Sequence, residues 1–483
     1  MKCEMGSIKM NQLKKNFLYN IVYQILILIL PLITIPYVSR VLNADGIGIY
    51  SYTYSIISYF MLISMLGINN YGNRVIAKVR DDKEQLSQTF FSIYFIQLFM
   101  TILMIICYTL FVFLFVKEYK NIALLQSIYL FSNLFDINWF FFGIEKFKVT
   151  ITRSTVLKVL SMILIFIFIK SKNDVWLYTL LLSGSTFLSQ LLLFPFLKKE
   201  IKFMRITFND VKKHIRPCLT LFIPVIAVSL YKIMDKIMLG ALTNVTEVGY
   251  YEQAEKIITI PIGIVTALGT VMLPRISNLV SKGNKDSVYR YIKKSMNFMM
   301  FLSIPICFGL MAISSDFIQV FLGNNFEKSS FLICYLAITI IFISFANVIR
   351  TQYLIPMEKD RVYINSVIIG AIINLVINAI LIPKYQSIGA CIGTIFAELF
   401  VMLYQLIAVR KELPIIDYLK GVISFLVKSL FMFCVVLLIK RLELFLIIRV
   451  LLQITIGSLV YLLLNINYIN SILDIKRFLK KYK

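Results

Sequence analysis

The chain has little of what a water-soluble fold requires. Only 16% of its 483 residues are charged, against roughly 25% in an ordinary soluble domain. It has a single histidine, His214, in a basic loop, so no His/Cys metal set can be assembled. Its 7 cysteines form no CxxC and no paired framework. Six of them (Cys107, Cys218, Cys307, Cys334, Cys391 and Cys434) fall inside apolar runs, where cysteine behaves as a small hydrophobe. Metal and disulfide chemistry therefore have no support, and no cofactor is implied. Alternating barrel-strand patterning is missing as well. So is any large loop: the longest hydrophilic stretch between apolar runs is 198–216, too short to be a soluble catalytic domain.

What the chain does have is hydrocarbon. Hydrophobic residues make up 59% of it, and apolar runs of about 18 residues or more recur, each long enough to cross about 30 Å of bilayer core as a helix. Backbone groups in lipid must be satisfied within the spanning element, which selects helices here. The expected fold is an all-α polytopic membrane protein of fourteen spans. They are placed at 16–38, 47–70, 86–116, 122–143, 154–171, 175–197, 217–241, 249–274, 293–314, 329–350, 361–383, 387–409, 420–439 and 444–466. Lys2, Lys9, Lys14 and Lys15 precede the first run as in a signal peptide, but that run is too long and lacks a small-residue cleavage site, so it reads as a retained helix.

The net charge of +25 would point to nucleic acid in a soluble protein. Here the cations lie in short loops between spans and act as topological signals instead. With a cytoplasmic amino terminus, about 35 of the 50 Lys and Arg fall inside, including the stretch "KKEIKFMRITFNDVKKHIRP" and the tail "DIKRFLKKYK", and about 9 fall outside. The alternation holds along the chain, which puts both termini in the cytoplasm. The outer loops are all short, and a membrane polymerase or transferase would need a sizeable one to hold its acceptor.

A repeat recurs at an offset of 201: Gly48 matches Gly249, Tyr50 matches Tyr251 and Arg74 matches Arg275. This predicts two parallel six-helix lobes around a central cleft, 1–197 and 217–411. The basic linker 198–216 joins them, and two further helices with a basic tail follow at 412–483. Two such lobes are a geometry for alternating access.

The spans also hold charges, which are costly there at roughly 2.5–3.5 kcal/mol each at mid-membrane. "LYKIMDKIMLG" places Lys232, Asp235 and Lys236 on one helical face, and Glu252, Glu255 and Lys256 repeat the spacing on the next span. The two sets carry opposite net charge at similar depth. They therefore admit two readings, mutual neutralisation that pins two neighbouring helices, or a water-filled cleft that binds or gates an anionic or protonatable cargo. Lys158 lies near the cytoplasmic end of its span, where snorkelling competes with a cavity role. Glu398 lies deeper and favours a cavity. Asn374 and Asn378 suit interhelical hydrogen bonds, and Lys428 and Arg449, on the two extra helices, suit lipid or packing roles. Arg40, Asp136 and Arg350 sit near span ends.

The stretches "YKIMDKIMLG", "VGYYEQAEKIITIP", "ALGTVMLPRISNL", "FDINWFFFGIEKFK" and "VIRTQYLIP", with "INSVIIGAIINLVINAILIPKYQSIGACIGT", resemble the Wzx-type polysaccharide and oligosaccharide-lipid flippases of the multidrug/oligosaccharidyl-lipid/polysaccharide exporter superfamily. The resemblance implies a transporter, not an enzyme, in the bacterial inner membrane. Its implied cargo is an undecaprenyl-pyrophosphate-linked oligosaccharide for capsule, O-antigen or exopolysaccharide assembly, and its implied partners are membrane lipids, a polysaccharide polymerase and assembly proteins, with no nucleic acid. A diphosphate needs cationic partners, for which Arg40, Arg153, Lys158, Lys232, Lys236, Lys256 and Arg275 are candidates. Asp235, Glu252, Glu255 and Glu398 are candidates for ion coupling or gating. A lipid II-type flippase and a drug or cation antiporter of the same superfamily are the competing expectations.

Overall fold

The computed structural model describes residues 2–472, with side chains from residue 29 onward except at 224, 227, 230, 231, 270 and 285. The basic tail from 474 and the side chains of Lys2, Lys9, Lys14 and Lys15 lie outside the described residues. Every regular element among the described residues is helical, as the composition requires.

The chain groups into two compact units, 1–249 and 250–483. The first contains α1 (Lys2–Met65), α2 (Ile68–Val79), α3 (Lys83–Phe115), α4 (Lys120–Leu134), α5 (Asn138–Gly143), α6 (Phe147–Phe168), α7 (Val175–Leu191), α8 (Phe194–Leu197) and α9 (Phe208–Leu242). The helix α10 (Val245–Ser281) begins in this unit and continues into the second. There it is followed by α11 (Lys285–Phe321), α12 (Glu327–Leu336), α13 (Thr339–Ile349), α14 (Asp360–Tyr385), α15 (Ser387–Val409), α16 (Ile415–Lys440) and α17 (Leu446–Leu464).

Ten helices among the described residues are long and apolar enough to span a membrane, or eleven if the bent pair Asn324–Leu336 and Thr339–Leu354 forms one span. The expectation of fourteen differs for local reasons. The long helix α1 leaves helical geometry at Asn43 (φ 56°, ψ −177°), and two of the expected spans meet there at a kink. The span expected at 122–143 is split into α4, of 15 residues, and α5, of 6. The span expected at 217–241 lies within α9, where four positions fall outside the described side chains. The expected all-α polytopic fold is what the chain adopts.

In the first unit, α1 packs on α3, α4, α6 and α9. One core joins Ile76 of α2, Phe90 of α3, the α5 aromatics Trp139, Phe140 and Phe141, and Cys218 of α9, all nearly inaccessible. A second core gathers Ile57, Tyr108, Val112 and Leu130. Close packing of these rings, by van der Waals contact, fixes α5 against α2 and α3. In the second unit, Met296, Met299, Met300 and Ile304 of α11 form the centre of a core that extends to Tyr418 and Met432 of α16 and Tyr461 of α17.

Two glycines make a close helix crossing possible. A Cβ on Gly48 would lie 1.7 Å from the carbonyl oxygen of Val245, and a Cβ on Gly249 would lie 2.0 Å from that of Ala44. Both relations obey the 201 offset (245 − 44 and 249 − 48), and Thr246, also 201 residues after Asp45, donates its hydroxyl to the Asp45 carboxylate. The contact is reciprocal: each helix presents a glycine to the other's carbonyl one turn away.

Candidate functional site

The motif "FDINWFFFG" folds as a polar knot wrapped in rings. Asp136 caps α5 by accepting from the backbone N–H of Asn138 (3.1 Å) and from its side-chain amide (2.7 Å). The same amide donates to Gln190 of α7 (2.8 Å), while the Asn138 oxygen accepts from Arg153 of α6 (3.0 Å). Gln97 of α3 donates to the carbonyls of Asn133 and Asp136 and accepts the Trp139 indole N–H at 2.9 Å. The expected cargo cation Arg153 is thus half-buried and held by a hydrogen-bonded set that ties five helices together, α3 to α7. Its neighbour Lys158 is exposed on the same helix, as is Arg40 on α1.

On α9 the three charges separate by burial. Asp235 is 2% exposed, Lys236 is half-buried and Lys232 is exposed. Asp235 lies within electrostatic reach of Tyr59 on α1, whose hydroxyl donates to the Ser229 carbonyl (3.3 Å). A buried carboxylate needs such polar company, because burial without it costs several kcal/mol. The helix therefore turns its carboxylate inward and leaves a lysine accessible.

In the second unit Glu252 and Lys256 form an ion pair along α10 (3.0 Å), in the order that favours an i,i+4 pair. Glu255 is half-buried beside them. Tyr251 shares a hydrogen bond with Thr394 of α15 (2.9 Å), and Glu398, one turn further along α15, is 8% exposed. On α14 the Asn378 amide donates to Asn374 (3.1 Å), a bond within one helix where the sequence suggested one between helices. Gly393 of α15 sits directly on this pair; a Cβ there would approach the Asn378 oxygen to 2.0 Å. Arg275 is exposed towards the carboxyl end of α10, away from these groups along the helix. It donates to the Tyr291 hydroxyl and stacks on that ring at 4.6 Å.

Two polar features escape a reading of the sequence. Asp316 of α11, 4% exposed, is gripped by α17: the Arg449 guanidinium pairs with it, Nε lying 2.9 Å from one carboxylate oxygen and a terminal nitrogen donating to the other (3.0 Å), and Gln453 adds a second hydrogen bond (3.1 Å). The signal is present as two lone charges of opposite sign in apolar surroundings, but only Arg449 falls inside an expected span. The second is a π-helical segment at Arg350–Leu354, where Gln352 is fully buried. Nothing in the sequence marks that change of helical pitch.

These features define the class: a polytopic helical membrane protein with ion pairs and buried carboxylates within its spanning helices. Residues 13–280, more than half of the chain, match the family model described as polysaccharide biosynthesis protein, and the chain belongs to that family. Residues 221–380 also match the model described as MatE. A curated relative from Escherichia coli (strain K12), named "Putative O-antigen transporter", is 24% identical over 405 residues, covering 83% of this chain and 97% of the relative. The lipid II flippase MurJ of Bacillus subtilis (strain 168) is 26% identical over 162 residues, 33% of this chain and 29% of its own length. Among solved structures, lipid II flippase MurJ in an inward closed conformation superposes with a TM-score of 0.75 at 18% identity, covering 95% of this chain and 99% of that one. A multidrug resistance MATE transporter in an outward-facing conformation superposes at 0.52 and 14% identity, covering 85% and 96%. At these identities the two structures establish the fold.

Proposed function

We propose that the protein flips undecaprenyl-pyrophosphate-linked oligosaccharide repeat units from the cytoplasmic to the outer leaflet of the bacterial inner membrane. It supplies capsule, O-antigen or exopolysaccharide assembly and works beside a polymerase and assembly proteins. The observation that carries this reading is similarity along nearly the whole length of the relative named "Putative O-antigen transporter", in a chain of the polysaccharide biosynthesis family. It is a transporter with both termini in the cytoplasm and two six-helix lobes that alternate access.

The charge arrangement suits such a cargo. A diphosphate is attracted to accessible ammonium and guanidinium groups, and Lys232, Lys158, Arg40 and Arg275 are exposed while Lys236 and Arg153 are half-buried. Lys256 is shared with Glu252 and reaches the cargo only when that pair opens. Asp235, Glu252, Glu255 and Glu398 lie in low-dielectric surroundings, where gaining or losing a cation changes helix packing. Each charge carried across the membrane contributes about 2.3 kcal/mol per 100 mV, enough to bias a two-state equilibrium by more than tenfold.

Disrupting the protein in its own cell tests the reading. Surface polysaccharide should be lost while the lipid-linked oligosaccharide accumulates facing the cytoplasm. Unchanged surface polysaccharide, with no other transporter present, overturns it. Full-length superposition on MurJ keeps lipid II as a second candidate cargo; arrest of cell-wall synthesis in place of polysaccharide loss would select it.

A further inference from the structure

One cavity in the first unit stands apart from the charges described above. It has a volume of about 620 Å³ and is formed where α3 meets α4 and where α6 meets α7, a size within the roughly 300–1,000 Å³ of small-molecule pockets. Its lining carries Lys117, Lys120 and Lys172, the rings of Tyr119 and Trp176, and the amide of Asn121. We propose that this cavity binds an anionic saccharide on the outer face of the protein. The inference rests on the reading that the cargo is a lipid-linked saccharide, and it adds a place for that saccharide apart from the charged residues of α9 and α10.

Charge distribution is the first argument. Outer loops of membrane proteins are poor in lysine, and this chain has only about nine cations on that side, yet three of them line one cavity. Among the described residues, no carboxylate is in the lining. Asp174, close by in sequence, is engaged elsewhere and accepts the backbone N–H groups of Lys170 (2.8 Å) and Ser171 (2.7 Å), which fixes the loop beneath Trp176. Glu118 lies between two lining residues but is not itself part of the lining.

The aromatic groups are the second. Trp139, one of the chain's two tryptophans, is buried in the core, whereas Trp176 is half-exposed and lines the cavity. Tyr119 adopts a left-handed backbone (φ 57°, ψ 24°) at the start of α4. That conformation is uncommon for a bulky residue and is concentrated at functional sites. Lys120 is steadied over the Phe113 ring at 4.1 Å. An indole face that packs on sugar C–H groups, amides for hydroxyls and ammonium groups for a carboxylate or phosphate together match an acidic sugar. A lipid phosphate would use the lysines but has no need of the ring or the amides.

The test is binding to purified full-length protein in neutral detergent, read by tryptophan emission, with digalacturonic acid, lactose and inorganic phosphate as probes. Digalacturonic acid should shift the emission and bind about tenfold more tightly than lactose. A Lys117→Ala/Lys120→Ala/Lys172→Ala variant should lose that preference at an unchanged melting midpoint, since these side chains support no core. A Trp176→Phe variant should lose the optical signal, and calorimetry should then show weakened binding. Equal affinity for inorganic phosphate would reveal a bare anion site and overturn the proposal, as would binding that the triple variant retains. The same emission shift on moving to phosphatidylglycerol nanodiscs without sugar, abolished by the triple variant, would assign the lysines to lipid anchoring and also overturn it. Leaflet transfer in vesicles is a separate readout: its failure would strike the flippase reading alone, and a failed sugar titration would strike this site alone.

Discussion

Replacing Gly48 with alanine sets a Cβ 1.7 Å from the Val245 carbonyl oxygen, where ordinary contact begins at 3.4 Å. The helices must separate locally by about 1.7 Å (3.4 − 1.7). The obstructing atom is backbone, so no rotamer change relieves it. The reciprocal Gly249→Ala meets the Ala44 carbonyl at 2.0 Å and requires about 1.4 Å (3.4 − 2.0). Overpacking of this kind costs typically 1–3 kcal/mol and occasionally more, and a backbone obstruction belongs at the upper end, about 3 kcal/mol for each single variant. Because both variants open the same crossing, the double should cost less than the sum of the two. Gly184, where an added Cβ would meet nothing within 4 Å, is the control; its alanine variant should be neutral or gain up to about 1 kcal/mol from helix propensity. Thermal unfolding in detergent, followed with a thiol-reactive dye at the buried Cys218, Cys307 and Cys391, measures all four. A Gly48→Ala midpoint equal to that of Gly184→Ala would refute the close crossing and the reciprocal contact built on it.

Three further outcomes follow from buried charge. Asp316→Leu strands Arg449 and should destabilise by about 3–5 kcal/mol, whereas Asp316→Leu with Arg449→Met should recover most of that loss; equal midpoints for the two variants in the same melting assay would contradict the pairing. His214 is buried against the Tyr71 hydroxyl (2.7 Å), with Lys213 and Asp210 nearby on its own helix. Burial first, and Lys213 second, bring its pKa from 6.5 down to about 4, with Asp210 opposing them. The folded state therefore binds fewer protons than the unfolded one between those values. Stability should be full above pH 6.5 and fall as pH drops towards 4, by at most about 3 kcal/mol at 1.36 kcal/mol per unit, and a His214→Gln variant should lack that slope in pH-dependent melting. Glu252→Gln breaks the α10 ion pair and should slow transport in vesicles more than it lowers the melting midpoint, because the pair is partly exposed and worth about 1 kcal/mol or less; a large midpoint shift with normal transport would make the pair structural.

Much of this was legible in the sequence because hydrocarbon thickness imposes a length on every span. The apolar runs located the helices, and isolated charges located Asp235, Glu252, Lys256 and Glu398. The 201 offset, read from three matched pairs, also relates Ala44 to Val245, whose carbonyls each meet the other helix's glycine, and Asp45 to Thr246, which are joined by a hydrogen bond. Identity alone could not reveal them, since what recurs there is a backbone approach and not a side chain. Partnership was harder to read. Asp316 and Arg449 are 133 residues apart, and no local periodicity connects them. Arg153 looked like a free cation for cargo, but its link to Asn138 depends on the turn that Asp136 caps. Asn374 and Asn378, four residues apart, bond to one another within a helix, which their spacing permits without any neighbour. The break at Asn43 and the π-helical turn at Arg350–Leu354 are backbone events without a distinctive residue to announce them.

The central claim is movement of a lipid-linked oligosaccharide between leaflets. The protein is reconstituted in vesicles with fluorescent undecaprenyl-pyrophosphate-linked oligosaccharide in one leaflet, and arrival in the other is followed with an impermeant quencher under imposed ion gradients. Transfer should be faster than in empty vesicles, respond to the gradient, and slow when Lys232 and Lys236 are both changed to glutamate in protein that still melts normally. Transfer no faster than in empty vesicles under any gradient would contradict the account.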